Sequence, residues 1–301
     1  MKARLLAAAT PLVLLLASPA GASAIEINTE FKPQNEFKLD PWVSLKIGPI
    51  DFSINKAVLY LLLAAAATTL TMIYVANRMQ AKPNRVQTAV EVAYGLMRDN
   101  IAGGNMDRRM ATKWFAFVGT LFLFIWFSNM IGYLPLPTNT EEKVNIFGLE
   151  VPSLALYAAT ANISTPLVLT LIVWISYHVE GIRAKGFIGY VKGWIPKGTP
   201  RGLIVLVFPI EVISQFVRII SLSVRLFANI HAGHLLILFM GGGLVVLLNL
   251  AAVGSLILGL VTGVAAVAFF LFEIGLIATL QAFIFATLTA IYLGESVAES
   301  H

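Results

Sequence analysis

Long apolar runs, cut by short polar and basic segments, organise this chain of 301 residues. Residues 57–77, 114–134 and 154–177 each approach the twenty or so apolar residues that a helix needs to cross a bilayer. Two further runs, 203–240 and 244–293, are about twice that long and meet at Gly241-Gly242-Gly243. A glycine turn between two such runs predicts a pair of long helices packed as a hairpin, the excess length being absorbed by strong tilt. Before them, residues 78–113 place Val86, Val90, Val92, Ala93, Leu96 and Met97 at near-helical spacing among charges, which predicts an amphipathic helix on the cytoplasmic membrane surface. The expected fold is an all-α polytopic membrane protein with about five transmembrane helices, the last two long and strongly tilted.

The first residues read differently. Lys2 and Arg4, the apolar segment 5–16 and Ala22-Ser23-Ala24 have the order of a secretory signal over residues 1–24. An uncleaved anchor is the alternative. Residues 25–55 form an external N-terminal segment, in which 42–47 and 50–54 alternate around Gly48-Pro49 and predict a small surface hairpin. The membrane domain then occupies 56–294, and 295–301 form a short cytoplasmic tail.

Composition agrees with this layout. The chain is 58% hydrophobic and 12% charged, against about a quarter charged in a soluble domain. Twelve Lys and Arg lie in the loops 78–113 and 180–202, and five in 25–56 and 135–153. The positive-inside rule puts both basic loops in the cytoplasm, the mature N-terminus outside and the C-terminus inside. A net charge of +5 reports topology here and points to no nucleic-acid partner. No cysteine is present, which excludes disulfides and thiolate chemistry. No GxxxxGK[ST] loop is present either, so no ATP-binding site of that type is expected. We expect no cofactor and no metal; a site from His231, His234 and Glu273 lacks a further ligand.

The chemistry concentrates in 211–234. Glu211, Arg218 and Arg225 are spaced by seven and share one helical stripe, Asn229 stays near that face, and His234 points to the opposite side. A guanidinium at bilayer depth costs roughly 2.5–3.5 kcal/mol on insertion scales and about 10–17 kcal/mol in simulations of a lone helix. Arg225 cannot release its proton, so it cannot relay one. It can hold a carboxylate ionised and repel a cation, which is the work of an electrostatic gate. The plainer reading is an internal salt bridge, for instance to Glu273. Glu211 and Arg218 form either a heptad-spaced ion pair or the rim of a water-filled cytoplasmic path. His234 and Glu273 form either a proton-uptake pair or a capped interface histidine with its partner. Gln281 could reach across to Arg225. Asn129 with Ser128, and Asn162 with Ser164, are explained equally well by interhelical hydrogen bonds.

Ser221-Leu222-Ser223-Val224-Arg225-Leu226-Phe227-Ala228-Asn229 with Ala232-Gly233-His234, and Gln281-Ala282-Phe283-Ile284-Phe285 running on to Tyr292-Leu293, resemble the signature of the subunit a family of F-type ATP synthases. The resemblance implies a stator subunit with two proton half-channels beside a ring of c subunits, each bearing a membrane carboxylate, and peripheral-stalk b subunits as further partners. It implies a bacterial inner-membrane location and a role in ATP synthesis through hydrogen-ion transport, with no catalysis by the chain itself. Arg225 matches the family's essential arginine, His234 and Glu273 the outer half-channel pair, and Asn229 and Gln281 the polar residues flanking the arginine. Glu211 and Arg218 match a carboxylate and a basic residue toward the cytoplasm, and Asn129 and Asn162 fall where the second and third spans lend polar groups to the outer channel. There are departures from the family pattern. Ile219 stands where proline is frequent, and Asn162 where aspartate is. Glu273 lies eight, not seven, before Gln281, a shift of about 100° that a π-bulge would cancel.

Two other classes fit less well. A secondary transporter calls for internal repeats and paired broken helices, but the two long runs come only at the end of the chain. An intramembrane hydrolase needs a nucleophile–base pair, and Ser255 and Thr262 have no histidine within helical reach.

Overall fold

Asn55, Asn84 and Asp107 mark where three of the helices begin. Their side chains accept from the backbone N–H of Val58 at 3.2 Å, Gln87 at 2.8 Å and Met110 at 3.1 Å. A short polar side chain in that position satisfies one of the donors that a helix start leaves unpaired. These contacts are seen in a computed structural model of the chain. It describes residues 37–47, 50–51, 53–78, 83–137, 143–146, 149–152, 154–195, 198–248, 250 and 252–298. The expected signal segment, 1–24, and Glu141 and Glu142 lie outside the described residues.

A short ribbon, β1 (Lys46–Ile47) with β2 (Ile50–Asp51), opens the described chain and is extended by a bridge between Val43 and Ile54. It is the hairpin expected there. Helix α1 (Lys56–Arg78) follows. Helix α2 (Arg85–Gly95) continues through a π-helical turn, Leu96–Ala102, and a last short turn, Gly103–Asn105. It buries Gln87, Met97, Ile101 and Ala102. Val92, expected on the buried face, is exposed, because the π-helical turn sets the packed face by Met97 and Ile101.

Helix α3 spans Arg108–Gly132. Two small ribbons separate it from the next helix. They are β3 (Leu136–Pro137) with β6 (Leu154–Ala155), and β4 (Lys143–Ile146) with β5 (Leu149–Pro152). Helix α4 runs Ser164–Lys192. The third span therefore starts about ten residues later than its apolar run, because 154–155 pair as a strand and Asn162 closes a turn by accepting from Ser164 N at 2.9 Å. Much of the expected basic loop after it is helix, with one kink at Gly186.

Helix α5 covers Arg201–Leu238, a π-helical turn Phe239–Gly243 follows, and α6 is Leu244–Leu248. Helix α7 is Ala252–Phe272, a third π-helical turn is Glu273–Ile277, and α8 is Ala278–Val297. The three glycines do not end the fourth run. Gly242 takes φ 153°, which favours glycine, and kinks a helical path that carries on to Leu248. In lipid an open turn there would strand backbone donors and acceptors, whereas a helix pairs them within the segment. Helix α8 runs through Val297, into the stretch expected as tail.

Among the described residues, five helical segments are long and apolar enough to cross a membrane: Lys56–Asn77, Arg108–Gly132, Ser164–Lys192, Arg201–Leu248 and Val253–Val297. The described chain divides into two compact units, one of residues 37–234 with 271–298 and one within residues 235–270. The second unit is almost wholly apolar, with Val253, Leu256, Leu260 and Val264 exposed along α7. The core of the larger unit joins Val118, Phe122 and Ile125 of α3, Val173 and Tyr177 of α4, Leu222, Leu226 and Ile230 of α5, and Phe285 of α8. Helix α8 presents Ala278, Ala282, Ala286 and Ala290, all fully buried at spacings of four. Such a stripe of small side chains lets helix backbones approach closely where lipid gives no hydrophobic drive to association.

Candidate functional site

Helix α5 has two faces. Gln215, Leu222, Leu226, Ile230, Gly233 and His234 are buried, and the opposite face carries Val217, Ile220, Ser221, Val224, Arg225, Ala228, Asn229 and Ala232, all exposed. Arg225 and His234 therefore point to opposite sides, as their spacing of nine dictates. Arg225 makes no salt bridge to Glu273; among the described residues it has no carboxylate within salt-bridge distance. Gln281 is buried in α8 and forms no hydrogen bond with Arg225 among the described residues. Both expected partnerships of Arg225 are thus absent, for one reason. The helix turns its guanidinium away from the packed core that holds Gln281 and Glu273.

His234 is 2% exposed. Its Nδ1 lies 2.9 Å from the Ile230 carbonyl, one turn back, and its Nε2 lies 3.1 Å from the Gly132 carbonyl at the end of α3. A neutral ring can donate to one of these oxygens, and a protonated ring to both. The imidazole packs on the Tyr133 ring, centroids 4.7 Å apart. The Tyr133 hydroxyl in turn donates to Glu273 Oε2 at 3.0 Å. Histidine and glutamate thus reach one another through a tyrosine that the sequence reading did not single out. The clue was its position, at the polar end of a span one turn beyond Asn129. Glu273 also lies flat on Gly233, with its carboxylate where a Cβ would stand, so only glycine admits it at that point.

Glu273 opens the π-helical turn Glu273–Ile277. A π-helical turn takes in one extra residue, so the eight-residue interval to Gln281 presents its ends much as seven would on a regular helix. The π-helical turn that would cancel the shift of about 100° is thus present.

The middle of α5, on the N-terminal side of Arg225, holds a second cluster. Arg218 Nη1 donates to Glu295 Oε2 at 3.1 Å, and its guanidinium lies 4.6 Å from the centroid of the Tyr292 ring. Glu211 and Arg218 do not pair with each other; a partner on α8 takes the arginine instead. Both residues line one open pocket, together with Gln215, Tyr292, Glu295 and, from α4, Lys185. Gln215 is fixed there, since its Oε1 accepts from the Tyr177 hydroxyl at 3.0 Å and its carbonyl from Trp174 Nε1 at 3.1 Å. Glu295 had been assigned to the tail, and neither Gln215 nor Tyr177 carries a sequence signal that distinguishes it.

Asn129 and Asn162 join neither cluster. Asn129 is fully buried, donates to the Ala278 carbonyl at 3.2 Å and accepts from Thr160 Oγ1 at 2.7 Å. It ties α3 to α8 one turn away from Tyr133. Asn162 holds the start of α4, as described above. His231 stacks on Phe227 and lies beside Phe37, with ring centroids 5.2 and 4.4 Å apart.

Along α5 the sixteen residues from Arg218 to His234 rise about 24 Å. Two polar clusters thus lie on either side of Arg225 along the helix, with Arg225 between them on the exposed face.

The chain is similar to known proteins over nearly its whole length. The family model described as ATP synthase A chain matches residues 58–294. The protein named ATP synthase subunit a from Paramagnetospirillum magneticum is 33% identical over 269 residues, covering 88% of this chain and 98% of that protein. The protein of the same name from Rubrobacter xylanophilus is 34% identical over 273 residues, covering 89% and 94%. The one from Hyphomonas neptunium is 30% identical over 274 residues, covering 89% and 97%.

Proposed function

The chain belongs to the ATP synthase A chain family, and on that premise we propose that this multi-pass membrane protein is the proton-conducting stator subunit of an F-type ATP synthase. It offers two half-channels to a rotating ring of c subunits and separates them with Arg225. Protons enter or leave by the His234–Tyr133–Glu273 cluster on the outer side and by the Glu211–Arg218–Glu295 pocket on the cytoplasmic side. The peripheral stalk holds the subunit still while the ring turns. The N-terminus lies outside and the C-terminus in the cytoplasm of a bacterial cell.

One observation carries this reading. Arg225 is a permanent cation on an exposed, otherwise uncharged face of a membrane helix, and no described carboxylate of its own chain pairs with it. A charge so placed calls for a carboxylate supplied from outside the chain. A ring of subunits, each with one membrane carboxylate, supplies that anion repeatedly and lets it move on. Ser221, Ala228 and Ala232 beside the arginine keep the face low enough for another helix to pass. While the ring carboxylate is beside Arg225 it stays ionised, so the proton taken up at one cluster reaches the other only by travelling around with the ring. One charge falling through 100 mV releases about 2.3 kcal/mol, and the gate makes that energy available only through rotation.

At the outer cluster, His234 moves between a state that donates to one carbonyl and a state that donates to both. Tyr133 holds the Glu273 carboxylate by its hydroxyl, leaving the other oxygen to take or release a proton. Asn229 and Gln281 flank the gate, while Asn129 ties the second span to α8 and Asn162 sets the start of the third span beside the outer path.

The test is ATP-driven proton pumping in inverted membrane vesicles, native against Arg225→Ala at equal complex content. Pumping should fall by about two orders of magnitude, with an added passive leak through the membrane sector. Undiminished pumping in the variant would return Arg225 to a structural role.

A further inference from the structure

We infer that Glu295 is a positioning residue: it draws Arg218 onto the last helix and thereby keeps Glu211 free as the proton-exchanging carboxylate of the inner pocket. The inference deepens the proposed function and rests on it. It begins with the stripe on α5. Glu211 and Arg218 lie seven residues apart, near enough to two helical turns for long side chains of opposite charge to seek each other. They are not paired. Arg218 is engaged twice on α8, by the Glu295 carboxylate at 3.1 Å and by the face of Tyr292 at 4.6 Å. Its side chain is 27% exposed while that of Glu295 is 56% exposed, so the arginine is the more enclosed partner and the glutamate meets it at the mouth of the pocket.

The remaining cation of the pocket is also occupied. Lys185 Nζ donates to the carbonyl of Ala298, just past the end of α8. Helix α8 thus holds both positive charges of the pocket close to its own end, through Glu295, Tyr292 and a terminal carbonyl. Glu211 is left lining the same cavity with no ion pair among the described residues. A carboxylate held in a salt bridge accepts protons poorly, because protonation would forfeit the pair. One that is solvated and unpaired exchanges them freely. Without Glu295, Arg218 would have Glu211 as its remaining acidic neighbour in the pocket, and the exchanging group would be locked as an ion pair.

The intact complex in inverted vesicles tests this, with assembled complex quantified in each preparation. Glu295→Ala should lower the rate of ATP-driven proton pumping by about threefold to fivefold, the scale on which a partly exposed ion pair acts, and Glu295→Asp should restore most of it. Glu295→Ala combined with Arg218→Ala should pump no worse than Arg218→Ala alone, because the arginine is the route by which Glu295 acts. Native pumping by Glu295→Ala, or multiplied losses in the double variant, would overturn the inference, the second by showing that Glu295 merely supports the helix end. Glu211→Gln separates this from the larger reading. Native pumping in that variant would show that the pocket carries no protons, whatever Glu295 does, whereas a loss there with no loss in Glu295→Ala would refute the positioning role alone.

Discussion

The two polar clusters on either side of Arg225 along α5 are built on different physics. At one end His234 is sealed, its two nitrogens facing backbone carbonyls and its ring stacked on Tyr133. At the other end Glu211, Arg218 and Glu295 meet around an open pocket, joined by one partly exposed ion pair. Buried polar groups have no solvent to fall back on, so each lost partner there costs about 1–3 kcal/mol. Groups at an open rim find water instead, and an ion pair there contributes about 0–1 kcal/mol. Under the proposed function, proton exchange at the sealed end depends on a fixed chain of contacts, and at the open end on which carboxylate is left unpaired.

The sharpest way to break this contrast is His234→Ala. It strips the Gly132 carbonyl of its partner and opens a void beside Tyr133. Pumping should drop by about a hundredfold or more, and the solubilised complex should unfold at a lower temperature, because the Gly132 carbonyl stays buried without a donor and the void is left unfilled. If the complex melts like the native one, the sealed end is wetter than its packing implies.

A smaller effect is expected from Tyr133→Phe. The ring stacking on His234 survives, and only the 3.0 Å hydrogen bond to Glu273 is lost. A net hydrogen bond of about 0.5–1.5 kcal/mol corresponds to a loss of roughly threefold to tenfold in pumping. An unchanged rate would mean that the Glu273 carboxylate works without its tyrosine.

Gln215→Ala should do least. It removes the acceptor of the Tyr177 hydroxyl at the wall of the open pocket, where water can replace it. Thermal unfolding of the complex should register a loss of about 1 kcal/mol, with pumping within about twofold of native. A larger fall in pumping than in stability would make that wall as exacting as the sealed end.

Much of this molecule could be read along the chain. Apolar run length foretold five crossings, since lipid leaves the backbone few alternatives to a helix. The spacing of seven between Arg218 and Arg225 and of nine between Arg225 and His234 separated exposed from buried face without any contact in view. Boundaries were read less well. Apolar residues at 154–155 are strand and not helix, and the glycines at 241–243 kink a helix without ending it. Hydropathy sees only that a residue is apolar, while the strand at 154–155 depends on pairing with residues 136–137.

Sequence by itself determined the class of the protein, the stripe on α5 and the opposite facing of Arg225 and His234, because helix geometry and the cost of charge in lipid are local physics. Tertiary structure alone decided the partners. Tyr133 meets Glu273 across 140 positions, Arg218 meets Glu295 across 77, and the π-helical turn at Glu273 keeps that carboxylate on Gly233. Such choices depend on which helices pack side by side and at what depth, and no periodicity within one helix carries that information.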